Sequence, residues 1–588
     1  MNPVIVLVPF LAALAYISFS RGTRYARYAA LAGSLVSLAL LPFIAYGSYD
    51  IQWLRTGGYS FPIALAVTQL NYMLLAVVLS ITPIILLFSS GFMDIVTEQK
   101  RFYIEMLAFS IAMIAFSLSG NFITLFIAWE FLSLTSYLLI GFWHSKERAN
   151  RAARKAITIV LMGDLALIGA IAIFWNAAGS LQFSAIIAAA GSGNPMIYAG
   201  TLMLLMAVLT KSAQFPFYDW LPDAMEGPTP VSAYLHSTTM VKAGVFAVAV
   251  LLPLFASTGI SAVLLTLAIL TAVIATYYAI VETHVKRIIA YSTVQELSLM
   301  IIALCANAVL AGIYFFFVQS FYKALLFFSA GSGMKATGKE HIDDVTGIRS
   351  SKLIYITTLF GVLSLAGFFP FSGFFAGAGL ASSLRANVPI YLIISLISIA
   401  TSFYIFRWVF RISGQPKNKS IGIAYAALPA QMKLAMAVLA AMTLAASLFF
   451  FYMPSFFSGY LPAYTSNGLS AGAADALVLM VLAVIGAALS YYVNIARRRK
   501  TKEQEMHARK GTVADAFYIK FSSFAYYLSA GATLIDTHIS NFFDAFGRAA
   551  MDTGKLFRRF SVGEINAYAL VVVASLLLLF AYAYVVLR

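Results

Sequence analysis

Apolar runs long enough to cross a bilayer recur along almost the whole chain, with polar residues collected in the short segments between them. A spanning helix needs roughly 20 apolar residues, so this pattern predicts an all-α polytopic membrane protein of about sixteen transmembrane helices. The predicted spans are 3–19, 28–46, 69–91, 103–119, 121–143, 156–175, 196–215, 229–254, 261–280, 286–305, 309–333, 353–381, 388–410, 432–453, 472–496 and 566–587. Between 513 and 560 the pattern changes. Phe517, Phe521, Phe524, Leu528, Phe542 and Phe546 make an apolar stripe interleaved with Asp515, Lys520, Asp536, Asp544 and Arg548. That stripe predicts a long amphipathic helix lying along the membrane or a partner, roughly 70 Å long if continuous. The alternative is one poor spanning helix near 517–535, bracketed by Lys520 and Asp536.

Positive charge falls in alternate loops: Arg21, Arg24 and Arg27; Lys100 and Arg101; Lys146 to Lys155; Lys286 and Arg287; Lys335 to Lys352; Arg411 to Lys419; Arg497 to Lys500. This alternation places the basic side in the cytoplasm and both termini outside, in a cell membrane. One loop on that side is acidic instead, with Asp219, Asp223 and Glu226, but acidic residues weigh little in the rule. The 588-residue chain is 61% hydrophobic and 11% charged, which excludes a soluble domain. Its formal charge of +16 sits mainly in the orienting loops and does not indicate nucleic acid. A lone Cys305 excludes an internal disulfide framework and a thiolate metal cluster. The start, Met1-Asn-Pro-Val, lacks a basic n-region and reads as a retained helix.

Against this background a few charges stand out. Lys211 lies deep in the apolar segment Leu209-Thr-Lys-Ser-Ala-Gln-Phe-Pro-Phe217. A lysine near the bilayer centre costs about 2.5–3.5 kcal/mol on insertion scales, and ionisable groups kept there mark transport paths. Pro216 breaks the same helix, which membranes tolerate where the freed backbone is buried or lines a wet cavity. Glu130 lies well inside another span, either as a partner that switches proton affinity or as half of a static ion pair. Lys242 follows the polar stretch His236-Ser-Thr-Thr239; spaced six apart, His236 and Lys242 do not share a helix face. Lys323 is a third cation within a span, with Gln319 one turn away. Asp164 and Arg407 are secondary candidates, Asp164 by local hydrogen bonding and Arg407 by snorkelling. Glu105 and Glu296 are expected near helix ends, in contact with solvent. A second broken helix is predicted at Pro370, whose Phe-Pro-Phe echoes that around Pro216; paired interrupted helices signal an internal repeat.

With these residues in place, the chain resembles the largest antiporter-like membrane subunit of respiratory complex I, a family related to Mrp-type cation/proton antiporter subunits. The matching stretches are Trp129-Glu130 with Ser136-Tyr-Leu-Leu-Ile-Gly-Phe142, Lys211-Ser-Ala-Gln-Phe-Pro216, Trp220 through Ala233, His236 through Gly244, Lys286-Arg-Ile-Ile-Ala-Tyr-Ser-Thr293, and Phe321-Tyr-Lys-Ala-Leu-Leu326. The resemblance implies N-terminal helices at 1–102, two inverted five-helix repeats at 103–254 and 261–412, and additional helices at 432–496. A lateral helix at 513–560, which braces neighbouring subunits, and an anchor at 566–587 complete the implied layout. It also implies that Glu130 and Lys211 form the first-half pair, with Lys242 and Lys323 continuing a proton path.

By the same resemblance the chain is a non-redox, proton-translocating subunit of an NADH- or other donor:quinone oxidoreductase. It works among other membrane subunits, with no cofactor or metal of its own. There are two departures. Ala376-Gly377 stands where the family usually places a charged lysine, and Gln319 where it often carries histidine. The alternatives are an Mrp-type antiporter, a subunit of a membrane-bound hydrogenase or inorganic-carbon uptake complex, and a partly degenerate scaffold. The Mrp reading is disfavoured because the chain ends after the amphipathic element and one span. Proton is favoured over sodium because no carboxylate cluster suited to a hard cation is evident.

Overall fold

The computed structural model describes residues 1–20, 25–56, 59–458 and 472–503; the amphipathic element at 513–560 and the span at 566–587 lie outside them. Met1–Gln52 and Pro62–Arg498 form one compact unit; among the described residues, 53–56, 59–61 and 499–503 fall in a second. In the first unit, α1 (Leu7–Phe19) and α2 (Ala26–Leu40) come first; the paired strands β1 (Gly47–Thr56) and β2 (Tyr59–Val67) follow, of which residues 47–52 and 62–67 belong to this unit. No strand is predicted there, although Tyr59, Phe61, Ile63, Leu65 and Val67 alternate with smaller residues, the period of a strand. The inner end of β2 is tied down, Ala66 N–H donating to Leu118 O at 2.8 Å and Gly120 N–H to Ala64 O at 2.9 Å.

The helices that follow are α3 (Gln69–Phe92), α4 (Gln99–Ser117), α5 (Phe122–Ile140), α6 (Glu147–Ala178), the short α7 (Phe183–Ala190) and α8 (Pro195–Lys211). Next come α9 (Trp220–Asp223), α10 (Thr229–Ser237), α11 (Lys242–Val250) and α12 (Leu252–Ser257). Then α13 (Ile260–Val281), α14 (Val285–Cys305), α15 (Val309–Thr337), α16 (Lys352–Leu365), α17 (Ser372–Leu384) and α18 (Val388–Ile412) lead to α19 (Lys419–Ala426), α20 (Ala430–Phe457) and α21 (Ala473–Glu503). Side-chain caps fix several starts: Asn121 accepts from Thr124 N–H at 2.9 Å ahead of α5, and Thr68 and Asn71 form a reciprocal capping pair at α3. Among the described residues ten helices are long and apolar enough to cross a membrane, and Pro3–Phe19, Pro195–Lys211 and Lys352–Leu365 are shorter apolar segments. The most enclosed are α15 and α14, with 94% and 89% of their spanning windows buried, whereas α21 is 22% buried. Glu296 on α14 and Lys323 on α15 are therefore enclosed by protein.

Helix breaks organise the middle of the molecule. The expected single span at 229–254 is three helices, because the chain opens between Ser237 and Lys242 and breaks again at Leu251, just before Pro253. Hydroxyl side chains take over the backbone there: Thr239 Oγ1 donates to Tyr234 O at 2.7 Å, an alternative to the helical ladder. Both predicted Phe–Pro breaks exist, each with a cis peptide bond. They share a backbone pattern at the same offset. Gln214 N–H donates to Leu209 O at 2.8 Å and Phe368 N–H to Leu363 O at 2.9 Å. Phe217 N–H bonds Gln214 O as Phe371 N–H bonds Phe368 O, and Ala213 and Gly367 both take positive φ. The backbone freed by these breaks is satisfied inside the protein, Phe215 N–H by Thr271 Oγ1 at 2.9 Å and Thr210 O by Trp220 Nε1 at 2.9 Å.

Candidate functional site

Two helix packings bring the first cluster together. A Cβ at Gly163 would overlap the Thr210 side chain, so only glycine lets α6 approach α8 this closely, and the next residue, Asp164, is set beside Lys211. The Lys211 ammonium is fully buried and donates to Trp129 O at 3.0 Å and to Ser133 Oγ at 2.5 Å, with its Nζ 4.7 Å from the Trp129 ring centroid. Asp164 lies 3.8 Å from that nitrogen, accepting from Trp129 Nε1 at 2.6 Å and from Ser133 Oγ at 2.7 Å. A serine hydroxyl can accept and donate at once, so Lys211, Ser133 and Asp164 form a continuous hydrogen-bonded chain through one hydroxyl. Asp164 is thus the carboxylate against Lys211, where the sequence pattern points to Glu130. Glu130 makes no hydrogen bond or ion pair with Lys211; its Oε1 is buried without a partner, within electrostatic reach of both Asp164 and Lys211.

A second cluster forms between α11, α14 and α15. Lys242 opens α11 directly after the break and donates to Phe316 O at 2.6 Å and to Ser320 Oγ. The Lys323 ammonium meets Glu296 Oε2 at 2.6 Å and Ser292 Oγ at 2.7 Å. Glu296 also receives Gln319 Nε2 at 3.2 Å and the Tyr322 hydroxyl at 2.8 Å. Glu296 is therefore neither near a helix end nor in contact with solvent, as expected from sequence; it sits mid-way along α14 and is 2% exposed. Glu105 is likewise buried, paired with Arg101 at 2.7 Å. Glu296, Tyr322, Ser133, Ser292 and Ser320 are the site residues the sequence reading missed. The available signal was spacing, since Ser133 lies one turn after Glu130, and Ser292 one turn before Glu296.

The remaining candidates are distributed around these clusters. His236 ends α10 fully buried, near the Trp220 and Phe327 rings, and neither ring nitrogen has a hydrogen-bond partner among the described residues. Between the clusters Ser212 Oγ donates to Val241 O at 2.9 Å, joining the break after Lys211 to the break before Lys242. Arg407 donates to Glu282 O at 2.5 Å and Ala279 O at 3.3 Å, where a cation suits the C-terminus of α13. Pro216 and Pro370 sit at the two breaks. The acidic loop is explained by pairing: Lys155 binds Asp219 at 2.6 Å and Asp223 at 2.8 Å, and Arg287 binds Asp223 at 3.2 Å.

Comparison with known proteins follows the same lines. Residues 119–404, which contain both clusters, match the family described as NADH:quinone oxidoreductase/Mrp antiporter, TM. Residues 53–103 match the N-terminus of chain 5 of NADH-ubiquinone oxidoreductase, complex I, and the two matches together take in more than half of the chain. The chain belongs to the NADH:quinone oxidoreductase/Mrp antiporter family. Among its relatives, NADH-quinone oxidoreductase subunit L of Escherichia coli K12 is 35% identical over 370 residues, 61% of this chain and 60% of that protein. Subunit L of Neisseria meningitidis serogroup B is 32% identical over 422 residues, 66% of this chain and 62% of that protein. The chain thus spans less than two thirds of the length of these relatives. In fold it is similar to a chain of the Mrp complex from Dietzia sp. DQ12-45-1b, with a TM-score of 0.75 at 22% identity over 99% of this chain and 63% of that one. A chain of an archaeal membrane-bound sulfane sulfur reductase aligns with a TM-score of 0.68 at 17% identity, over 82% of this chain and 99% of that one.

Proposed function

We propose that this antiporter-like chain is a proton-translocating membrane subunit of a complex I-like oxidoreductase, driven by electron transfer to quinone in other subunits. The observation that carries this reading is the pair of buried lysine–carboxylate clusters, the first bridged by the Ser133 hydroxyl and the second paired directly, Lys323 to Glu296. With every group ionised, Glu130, Asp164 and Lys211 hold two negative charges against one positive, whereas Lys242, Lys323 and Glu296 hold two positive against one negative. One proton passed from the second cluster to the first leaves both neutral.

Magnitudes favour proton transfer over physical separation of the pairs. Stripping a buried charge of its partner costs about 3–5 kcal/mol. The membrane supplies only about 2.3 kcal/mol per charge per 100 mV. Passing the Lys211 proton through Ser133 to Asp164 instead leaves two neutral groups. A charge change relayed from neighbouring subunits then has to shift a proton affinity, at about 1.4 kcal/mol per pKa unit. Glu130, with an unpartnered oxygen and within electrostatic reach of this cluster, is the loading group in this scheme, and His236 and Lys242 continue the path. In the assembled complex the basic loops face the cytoplasm, both termini lie outside, and the 513–560 element braces neighbouring membrane subunits.

An Mrp-like antiporter is the competing reading, since the matched family takes in both. Inverted vesicles holding the assembled complex separate them. Acidification that requires electron transfer and ignores an imposed sodium gradient supports the oxidoreductase reading. Acidification changes driven by sodium alone, with no electron donor, would replace it with the antiporter.

A further inference from the structure

We infer that Glu296 is itself a proton carrier of the second half, and that the cavity between Glu296 and Gly377 holds the water that takes its proton onward. This rests on the proton-translocation reading above and assigns a group to it. The helix order makes the first case. Reading back from the break at Pro216, the second spanning helix is α5, which carries Glu130; reading back from the break at Pro370, it is α14, which carries Glu296. Since the two breaks share their hydrogen-bond pattern, the two carboxylates occupy corresponding helices.

Geometry makes the second case. A cavity of about 70 Å³ lies against Glu296, with Gly377 and Gly373 of α17 on one wall and Ser398 and Thr401 of α18 on another. Among the residues lining it Glu296 alone is charged, and α17 contributes no titratable side chain. The volume admits water, which needs about 10–15 Å³ of such space and two to four polar partners. Gln295 supplies more of these: its amide spans Thr401 Oγ1 at 2.7 Å and the Tyr404 hydroxyl at 2.7 Å. The titratable groups around Glu296 are Lys323 and Tyr322 from α15, Lys242 from α11 and Tyr404 from α18.

Gln319 is built for both protonation states of the carboxyl. It donates Nε2–H to the carboxylate, while its buried Oε1 has no partner. Turning the amide over offers that oxygen to the O–H of a protonated Glu296. The step balances simply. The Lys323 ammonium gives its proton to Glu296 Oε2, leaving a neutral amine and a carboxylic acid. The acid then gives the proton to cavity water, restoring the carboxylate, and Lys323 is recharged from the Lys242 side.

The test uses inverted vesicles with the whole complex at equal content, reading protons moved per electron. Glu296→Gln and Gly377→Leu are compared with wild type, and Lys211→Ala serves as the marker of the general reading. A Cβ at Gly377 meets only Leu479 Cδ1, at 3.5 Å, so this cavity-lining position admits a side chain, and leucine is expected to take up cavity volume. The expected result is a lowered ratio in both variants with electron transfer intact, and loss in Glu296→Gln of an infrared carboxylic-acid band that titrates in wild type. An unchanged ratio in Glu296→Gln overturns the carrier; an unchanged ratio in Gly377→Leu overturns the water route, and carries the test if Glu296→Gln fails to assemble. Unchanged ratios in both with a lowered ratio in Lys211→Ala defeat this inference alone. An unchanged Lys211→Ala defeats the general reading with it.

Discussion

Lys211, Lys242 and Lys323 each donate to a serine hydroxyl, Ser133, Ser320 and Ser292 in turn. Of the three, only Ser133 donates onward to a carboxylate, Asp164 Oδ2 at 2.7 Å, whereas Ser320 and Ser292 donate to the carbonyls of Phe316 and Ile289. Lys211 and Asp164 are 3.8 Å apart, beyond direct hydrogen bonding, so Ser133 should matter out of proportion to its size. Ser133→Ala is expected to cost about 1–3 kcal/mol of stability, by leaving buried groups unsatisfied. It should also slow proton translocation, whereas Ser133→Thr, which keeps the hydroxyl, should retain it; equal rates in all three proteins would contradict the relay. At this scale the sequence showed the lysines plainly, because a charge in an apolar run has no cheap explanation. It showed their partners poorly. Asp164 ranked behind Glu130, and Glu296 was placed at a helix end, because which carboxylate meets which ammonium depends on how helices cross and not on spacing along one of them.

Among the elements, close approach of helices is purchased by single glycines. Gly163 admits Thr210 of α8, and a Cβ at Gly244 would overlap Ser212, so α6 and α11 both press against α8 at the level of Lys211. Gly163→Ala should force the helices apart at a cost of about 1–3 kcal/mol. Gly169→Ala, on the same helix, would meet only Met203 Sδ at 3.9 Å and should leave the unfolding midpoint of the detergent-purified complex unchanged or raised. Equal midpoints for the two variants would remove the packing argument. Most helices were legible from apolar run length, and the breaks at Pro216 and Pro370 from proline. The opening before Lys242 was not, since it comes from hydroxyls competing for the backbone within an apolar stretch. The β1–β2 hairpin was passed over because a two-residue period does not register in a search for bilayer-length runs.

For the molecule as a whole, the cluster of two carboxylates with one lysine and the cluster of two lysines with one carboxylate lie on either side of the Ser212–Val241 hydrogen bond. Family membership was readable from ordered motifs, but this division of charge was not, because it needs Asp164 and Glu296 to be placed in space. The account's central claim is that buried charge in this chain moves protons instead of clamping helices together. Its most direct test is the number of protons pumped per electron by inverted vesicles carrying Lys211→Ala, at complex content equal to wild type. The account predicts a lowered ratio with electron transfer still running. An unchanged ratio with normal electron transfer would contradict it and leave the chain a structural brace.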